Sequence, residues 1–168
     1  MADTFLYFAY GSNMLTRRLT ARTPSAVVFG PAFAEGYRLT FAKVSSDGSG
    51  KCDIERTENP EDRVYGVLFR VDTSEAECLD AAEGLGHGYE KGSILTTSQE
   101  GPTSAITYFA TKTNTTLRPY EWYKAFVVEG AVEHQLPGAY IARLRDLPAQ
   151  TDLNATRREM NERLLMGS

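Results

Sequence analysis

Strand-like segments follow one another along this chain, and their order constrains the fold more than any other feature of the sequence. Six segments have the short apolar or alternating pattern of strands: residues 5–10, 26–33, 37–44, 64–71, 92–99 and 103–110, with 52–56 as a candidate seventh. Helical patterns cover residues 14–19, 72–83, 119–133, 140–147 and 154–165. Because strands mostly follow strands, the pattern does not fit a doubly wound fold. We predict an α+β fold with a mixed, curved barrel-like β-sheet and flanking helices.

The composition is typical of a single globular domain. The chain has 168 residues, of which 42% are hydrophobic and 24% charged. A domain of this size can bury a core without disulfides or a structural metal. We therefore expect one domain over residues 1–168, with a peripheral C-terminal helix from about residue 151.

Charge and apolar patterning exclude several classes of protein. The formal net charge is -4, whereas nucleic-acid binding needs a concentrated basic surface, so no nucleic-acid partner is expected. There is no apolar run near the ~20 residues of a membrane helix, and no basic-then-apolar leader, so we expect a cytoplasmic protein without membrane contact. Two cysteines and two histidines are too few for the usual zinc spacings, and no metal is expected.

The segment Tyr10-Gly11-Ser12-Asn13 is the first candidate site. An apolar strand runs into Gly11, and Asn13 is a suitable N-cap for a helix over residues 14–19. Strand, glycine turn and helix N-terminus expose backbone N–H groups toward one spot, which attracts a carboxylate, a phosphate or a developing oxyanion. A plain strand-to-helix turn explains the same four residues, so both interpretations stay open at this point.

Protein nucleophiles have little support in the sequence. Ser12 lacks the second glycine of a Gly-x-Ser-x-Gly elbow, and both histidines, His87 and His134, lie far along the chain. Cys78 with His87 is the thiol alternative. Cys78 lies within a predicted helix beside Leu79, however, where a small buried apolar role is expected.

Glu83 differs from the other acidic residues in its position. It closes an amphipathic helix in which Ser74 and Glu77 have capping-box spacing. The dipole at a helix C-terminus is unfavourable for a carboxylate and raises its pKa. The loop 84–88 that follows contains three glycines and would give a substrate access. A solvated Glu at the end of a helix is the alternative.

Four tyrosines are candidates for a pocket hydroxyl: Tyr10, Tyr89, Tyr108 and Tyr123. Tyr123 lies on the apolar stripe of the helix 119–133, and the other three lie in or beside predicted strands. Core packing explains each of them as well as a pocket does. The residue pattern alone does not rank them.

Taken in order, these segments resemble the gamma-glutamylcyclotransferase family. The opening Phe5-Leu6-Tyr7-Phe8-Ala9-Tyr10-Gly11-Ser12-Asn13-Met14 is similar to the family's N-terminal signature. Further similar segments follow in the family's order: Gly36-Tyr37-Arg38-Leu39-Thr40-Phe41, Val64-Tyr65-Gly66-Val67-Leu68-Phe69, Leu79-Asp80-Ala81-Ala82-Glu83-Gly84, and Tyr123 with Glu129-Gly130-Ala131 and Leu136-Pro137. The likeness spans residues 5 to about 147, and the tail from Thr151 has no counterpart in these motifs.

The resemblance implies a fold, a partner and a site. It implies the family's mixed β-barrel with helices, often a homodimer, which acts on a small-molecule gamma-glutamyl substrate without a metal or organic cofactor. Glu83 would be the catalytic general acid/base. The substrate-binding residues would be Tyr7, Phe8, Ala9, Tyr10, Gly11, Ser12, Asn13, Tyr89, Tyr108 and Tyr123. One departure is that Gly88-Tyr89 shifts the family's Gly-x-Tyr pattern by one place, which leaves open whether Tyr89 reaches the pocket.

The reaction that the resemblance implies suits these residue types. The α-amine of the substrate attacks its own γ-carbonyl, so an amine is released, 5-oxoproline forms and no protein nucleophile is needed. The reaction requires positioning, donors for the developing oxyanion, and a carboxylate that moves protons between the two nitrogens. An α-amino group titrates near ~8 and a free Glu near ~4.3, so we predict a buried Glu83 with a raised pKa.

Two alternatives to this function remain. One is removal of a gamma-glutamyl protecting group in a biosynthetic pathway on the same scaffold. The other is a non-catalytic binding module, although such a module would not need a base at Glu83.

Overall fold

The computed structural model describes residues 2–167. The strands are β1 (Thr4–Ala9), β2 (Val27–Glu35), β3 (Tyr37–Val44), β4 (Gly50–Arg56), β5 (Arg63–Asp72), β6 (Tyr89–Ser98) and β7 (Gly101–Ala110). The helices are α1 (Thr16–Arg22), α2 (Ala76–Glu83), α3 (Glu121–Glu133), α4 (Gly138–Asp146) and α5 (Ala155–Leu165), with short 3₁₀ turns at Ser12–Met14 and Thr73–Glu75. Within this part of the chain, no helix is long and apolar enough to cross a bilayer.

Five strands form a closed barrel in the order β1-β5-β2-β6-β7. Neighbours in this order pair antiparallel, and β7 closes onto β1 in parallel at Ile106 and Tyr7. The predicted α+β fold with a barrel-like mixed sheet is therefore confirmed. Strands β3 and β4 form a separate two-stranded sheet, so the sequence predicted the strands but not which of them share the barrel.

The barrel core is built from the alternate inward side chains that the strand pattern predicts. Phe8 and Leu68 are fully buried on one face of the paired strands, and Phe69 is fully buried on the opposite face. Helix α3 packs against the 3₁₀ turn that follows β1. A Cβ on Gly130 would lie 2.7 Å from the backbone nitrogen of Leu15, so a glycine is needed for this close approach.

The start of the first helix differs from the predicted one. Asn13 does not cap α1, which begins at Thr16 after Leu15 in an extended conformation and has no side-chain cap. Asn13 lies instead in the 3₁₀ turn, 4% exposed, and its amide points to a partner distant in sequence, described below. The prediction failed because an Asn side chain can bond locally as a cap or reach a tertiary partner.

Helix α2 begins later than its capping-box spacing suggests. Glu75 is at the N-cap position without a side-chain hydrogen bond, so the predicted box of Ser74 and Glu77 does not form. Its C-terminus agrees with the prediction, because Gly84 adopts a left-handed conformation with φ 75° and closes the helix. Cys78 is exposed, which contradicts the buried role expected for it; it lies on the outer face of this short helix.

The C-terminal helix is held to the rest of the chain by a buried carboxylate. Asp152, 1% exposed, accepts hydrogen bonds from Trp122 Nε1 at 2.9 Å and from Arg157 Nε at 2.6 Å. Asn154 caps α5 by accepting from the backbone N–H of Arg157 at 3.0 Å. Residues after 151, which had no counterpart in the family motifs, are thus anchored to α3.

Candidate active site

A small cavity lies where β1 ends and the 3₁₀ turn begins, facing the C-terminus of α2. Its volume is about 30 Å³, enough for about two water molecules at ~10–15 Å³ each. The lining residues are Tyr7, Tyr10, Gly11, Ser12, Asn13, Cys52, Glu83, Tyr89, Thr107, Tyr108 and Tyr123. Elements separated widely in sequence therefore bring most of the predicted site residues to one place.

The Glu83 carboxylate is held by two donors from the N-terminal segment. Its Oε1 accepts from the Tyr7 hydroxyl, and from Asn13 Nδ2 at 2.8 Å. Burial raises the pKa of Glu83, and the hydrogen bonds from Tyr7 and Asn13 and the charges of Arg22 and Arg18 offset part of that rise. This upward direction of the pKa agrees with the prediction and its largest cause is burial, although the residue as a whole is half-buried.

The Gly11 turn forms the wall near Tyr123. A Cβ on Gly11 would lie 3.1 Å from Cys52 Cβ and 3.4 Å from the Tyr123 hydroxyl, so any larger residue would displace these neighbours. The Gly11 and Ser12 carbonyls accept from Met14 and Leu15 in the 3₁₀ turn. Within residues 2–167, the N–H groups of Gly11 and Ser12 have no acceptor, as expected at the start of a helical turn.

Hydrogen bonds of the tyrosine hydroxyls connect the segments that line the cavity. Tyr123 accepts from the backbone N–H of Cys52 at 3.1 Å, and Tyr89 donates to the Cys52 carbonyl at 2.6 Å. Tyr10 donates to the carbonyl of Tyr108. Tyr89, the first residue of β6, thus lines the cavity despite its shifted place in the sequence.

Not every candidate residue lines this cavity. Phe8 and Ala9 are buried residues of β1 outside the cavity lining, and the backbone carbonyl of Phe8 accepts from the Thr107 hydroxyl at 2.8 Å. Ser12 does line the cavity, and its hydroxyl accepts from Arg18 Nε at 3.2 Å. His87 is exposed in the loop after α2.

Sequence reasoning missed two cavity residues and two neighbouring cations. Cys52 and Thr107 line the cavity, and neither belongs to a pattern that marks a site. Arg18 bonds Ser12, and Arg22 NH1 donates to Asn13 Oδ1 at 3.3 Å. The spacing of two arginines one helical turn apart was visible, but nothing in the sequence indicated which residues they would contact.

Comparison with known proteins places the chain in a family. The AIG2-like family model matches residues 63–144. The chain is 32% identical to a gamma-glutamylcyclotransferase of Bos taurus over 151 residues, which cover 86% of this chain and 79% of that protein. The chain belongs to the gamma-glutamylcyclotransferase family. A human gamma-glutamylcyclotransferase is also 32% identical, over 149 residues that cover 85% of this chain and 78% of that protein.

A solved structure agrees with this family membership over the whole fold. A structure named gamma-glutamyl cyclotransferase superposes with a TM-score of 0.88 at 31% identity, covering 99% of this chain and 100% of that one. The similarity therefore includes α5 and the segment before it. The gamma-glutamylcyclotransferase family resemblance of the sequence motifs is confirmed.

Proposed function

We propose that this protein is a gamma-glutamylcyclotransferase, which releases an amine or amino acid from a gamma-glutamyl compound and forms 5-oxoproline. The observation that carries the proposal is the carboxylate of Glu83, which is held by Tyr7 and by Asn13 at 2.8 Å in a cavity lined by the Gly11 turn. A half-buried Glu whose carboxylate lies beside backbone donors suits an intramolecular aminolysis. The comparisons with gamma-glutamylcyclotransferases at 32% identity support it.

The reaction conserves atoms without an external reactant. The α-amine nitrogen of the glutamyl group forms a bond to the γ-carbonyl carbon, and Glu83 takes a proton from this nitrogen. The bond from the carbonyl carbon to the leaving nitrogen then breaks, and Glu83 returns the proton to that nitrogen. A single carboxylate performs both transfers, so neither a metal nor an organic cofactor is required.

The environment of Glu83 suits proton transfer with an amine. A free Glu titrates near ~4.3 and an α-amino group near ~8, and this mismatch makes a solvated Glu a weak base for the step. Burial raises the pKa of Glu83, which brings it closer to the pKa of the amine. Tyr7 and Asn13 bond the carboxylate without neutralising it, so the charged form remains available as a base.

The remaining cavity residues bind the substrate in this proposal. The unpaired N–H groups of Gly11 and Ser12 stabilise the γ-carbonyl oxygen as it becomes an oxyanion. Tyr10, Asn13, Tyr89, Tyr108 and Tyr123 contact the glutamyl group. Because the free volume is only about 30 Å³, substrate binding requires part of the wall to move. In this proposal the glycine-containing loop 84–88 provides that movement, since it joins Glu83 to Tyr89, both of which line the cavity.

A 5-oxoproline release assay over gamma-glutamyl amino acids and gamma-glutamyl amines tests the function. We expect turnover of at least one substrate, and a loss of about 10²–10⁴-fold in Glu83→Gln. The matched control is Glu77→Gln, which changes an exposed carboxylate on the same helix and should retain full activity. A fully active Glu83→Gln would disprove the mechanism, and no turnover across the panel would favour a binding module.

Three further expectations from the sequence stay predictions: one domain over the whole chain, a cytoplasmic location, and assembly as a homodimer. The homodimer follows only from the family resemblance. Gel filtration combined with light scattering would measure the mass of the assembly.

A further inference from the structure

A second cavity, of about 310 Å³, lies between α1, α3 and the end of α5. Its lining residues are Leu15, Arg17, Arg18, Ala21, Arg22, Phe126, Leu164 and Gly167. None of these residues lines the cavity of Glu83. The lining divides into apolar side chains and three arginines, so the space is amphipathic.

Two of the arginines, Arg18 and Arg22, have no carboxylate within ion-pair distance in the described part of the chain. Arg18 donates to the Ser12 hydroxyl at 3.2 Å and stacks over the Phe126 ring at 4.4 Å. Arg22 donates to Asn13 Oδ1 at 3.3 Å. Across residues 2–167, neither guanidinium forms an ion pair. Burial and the neighbouring Arg22 lower the pKa of Arg18 to about 10, so it remains charged at neutral pH.

The third arginine, Arg17, joins α1 to the C-terminal end of α5. Arg17 Nε donates to the carbonyl of Leu164 at 3.4 Å, and its guanidinium also donates to the carbonyl of Leu165. These bonds hold the C-terminal end of α5 against α1, so Leu164 forms an apolar wall. Arg18 is half-buried, whereas Arg17 and Arg22 are exposed, so the cost of desolvating a charge falls on Arg18, and a bound anion reduces that cost.

We propose that this cavity binds a small anion that carries an apolar group, such as a short-chain carboxylate or phosphate ester. Its anionic end contacts Arg18 and Arg22, which can form charge-assisted hydrogen bonds to such groups. Its apolar end packs against Ala21, Phe126 and Leu164. Each of these contacts involves a side chain that lines the cavity.

The same two arginines connect the cavity to Glu83. They bond Ser12 and Asn13, and Asn13 Nδ2 bonds Glu83 Oε1 at 2.8 Å. Their charges lower the pKa of Glu83, so an anion that neutralises them raises it. Binding of the anion therefore moves the acidic limb of the activity profile to higher pH. This second step rests on the proposed function, whereas the binding itself does not.

Calorimetric titration with defined probes tests the binding. At constant ionic strength we expect hexanoate and hexyl phosphate to bind, and hexanol and hexylamine to bind at least about tenfold more weakly, which corresponds to ~1.4 kcal/mol. Inorganic phosphate should bind more weakly than hexyl phosphate, because it lacks the apolar part. Equal binding of hexanol and hexanoate would overturn the proposal, and so would equal binding of phosphate and hexyl phosphate.

Two variants locate the site. Ala21→Trp fills the cavity, and Leu164→Glu places a carboxylate beside the arginines; each should lower hexanoate affinity at least about tenfold. Ala142→Trp is the matched control, because Ala142 is also an exposed helical alanine, and it should bind as the unmodified protein does. Unchanged affinity in folded Ala21→Trp and Leu164→Glu would overturn the proposal. Far-UV circular dichroism establishes that each variant is folded.

The effect of anion binding on the pKa of Glu83 is tested by a separate measurement. Saturating hexanoate should move the acidic limb of kcat/KM to higher pH in the unmodified protein and leave it unchanged in Ala21→Trp. Binding without this change would overturn the coupling and keep the site. If no gamma-glutamyl substrate is turned over, the titrations still decide the binding proposal, so its failure and that of the proposed function are distinguishable.

Discussion

The side-chain amide of Asn13 donates to Oε1 of Glu83 across 2.8 Å, although the two residues are 70 positions apart in the chain. The bond joins the turn after the first strand of the barrel to the end of α2. Because an amide donor stabilises a carboxylate more than a carboxylic acid, it affects both the position and the pKa of Glu83.

Asn13→Ala should therefore raise the pKa of Glu83, since the variant loses a hydrogen bond that favours the charged form. A base with a raised pKa is protonated over more of the acidic range, so the loss of kcat/KM should be greater at about pH 6 than at about pH 8. The pH profile measures this. Asn114→Ala, which removes an Asn from an exposed turn, should leave the profile unchanged. A loss in Asn13→Ala that is equal at all pH values would contradict the role.

Tyr123→Phe should raise KM more than it lowers kcat, and it should also reduce stability. The hydroxyl accepts from the buried N–H of Cys52 at 3.1 Å, and an N–H left without an acceptor costs about 1–3 kcal/mol. Steady-state kinetics and urea unfolding measure the two effects. Tyr37→Phe is the control, since Tyr37 is half-buried and does not line the cavity. Unchanged KM would assign Tyr123 to the core alone.

Gly130→Ala should destabilise the protein by about 1–3 kcal/mol and lower its activity. The added methyl would lie 2.7 Å from both the Leu15 nitrogen and Met14 Cβ, so α3 has to move away from the turn that carries Ser12 and Asn13. Thermal unfolding and the release assay measure the two effects. In Gly138→Ala, by contrast, the methyl meets no atom within 4 Å, and neither quantity should fall. Equal behaviour of the two variants would show that the close packing at Gly130 does not matter.

Asp152→Asn should lower the Tm by about 5 °C near neutral pH, because charge-assisted bonds to Trp122 and Arg157 are lost. Arg157 holds the pKa of Asp152 well below its usual range. The carboxylate therefore stabilises the fold above its unfolded pKa of ~3.9, and this contribution is lost as the pH falls.

The difference in Tm between the unmodified protein and Asp152→Asn should thus shrink below about pH 4. Calorimetric scans from neutral to acidic pH measure it. Asp3→Asn changes an exposed carboxylate and should match the unmodified protein throughout. A difference that stays constant with pH would mean that the charge of Asp152 does not contribute.

The fold and the site differ in how far the sequence predicted them. Strand segments such as 64–71 were predictable because alternating side chains with one buried face leave a local pattern. Pairing is not local, which is why the separation of β3 and β4 from the barrel was not visible. Asn13 is a second example of a non-local contact that the sequence does not reveal. Its residue type suits a local helix cap, but its side chain bonds Glu83 instead.

The cavity residues were predictable only where a motif carries them. The turn from Tyr10 to Asn13 and Glu83 belong to the ordered motifs of the family. Cys52 and Thr107 reach the cavity because β4 and β7 pass beside it, and neither position has a local signal. The contacts of Arg18 and Arg22 likewise depend on how α1 sits against the 3₁₀ turn.

The barrel closes at Tyr7 and Ile106, and the hydroxyl of the same Tyr7 donates to Glu83. Local opening of the seam between β1 and β7 would thus remove a donor from the carboxylate at the moment it breaks the ring of strands. Amide hydrogen exchange at this seam should then report the same opening equilibrium that separates Tyr7 from the Glu83 carboxylate. In that opened state Glu83 would keep the hydrogen bond from Asn13 but lose the one from Tyr7.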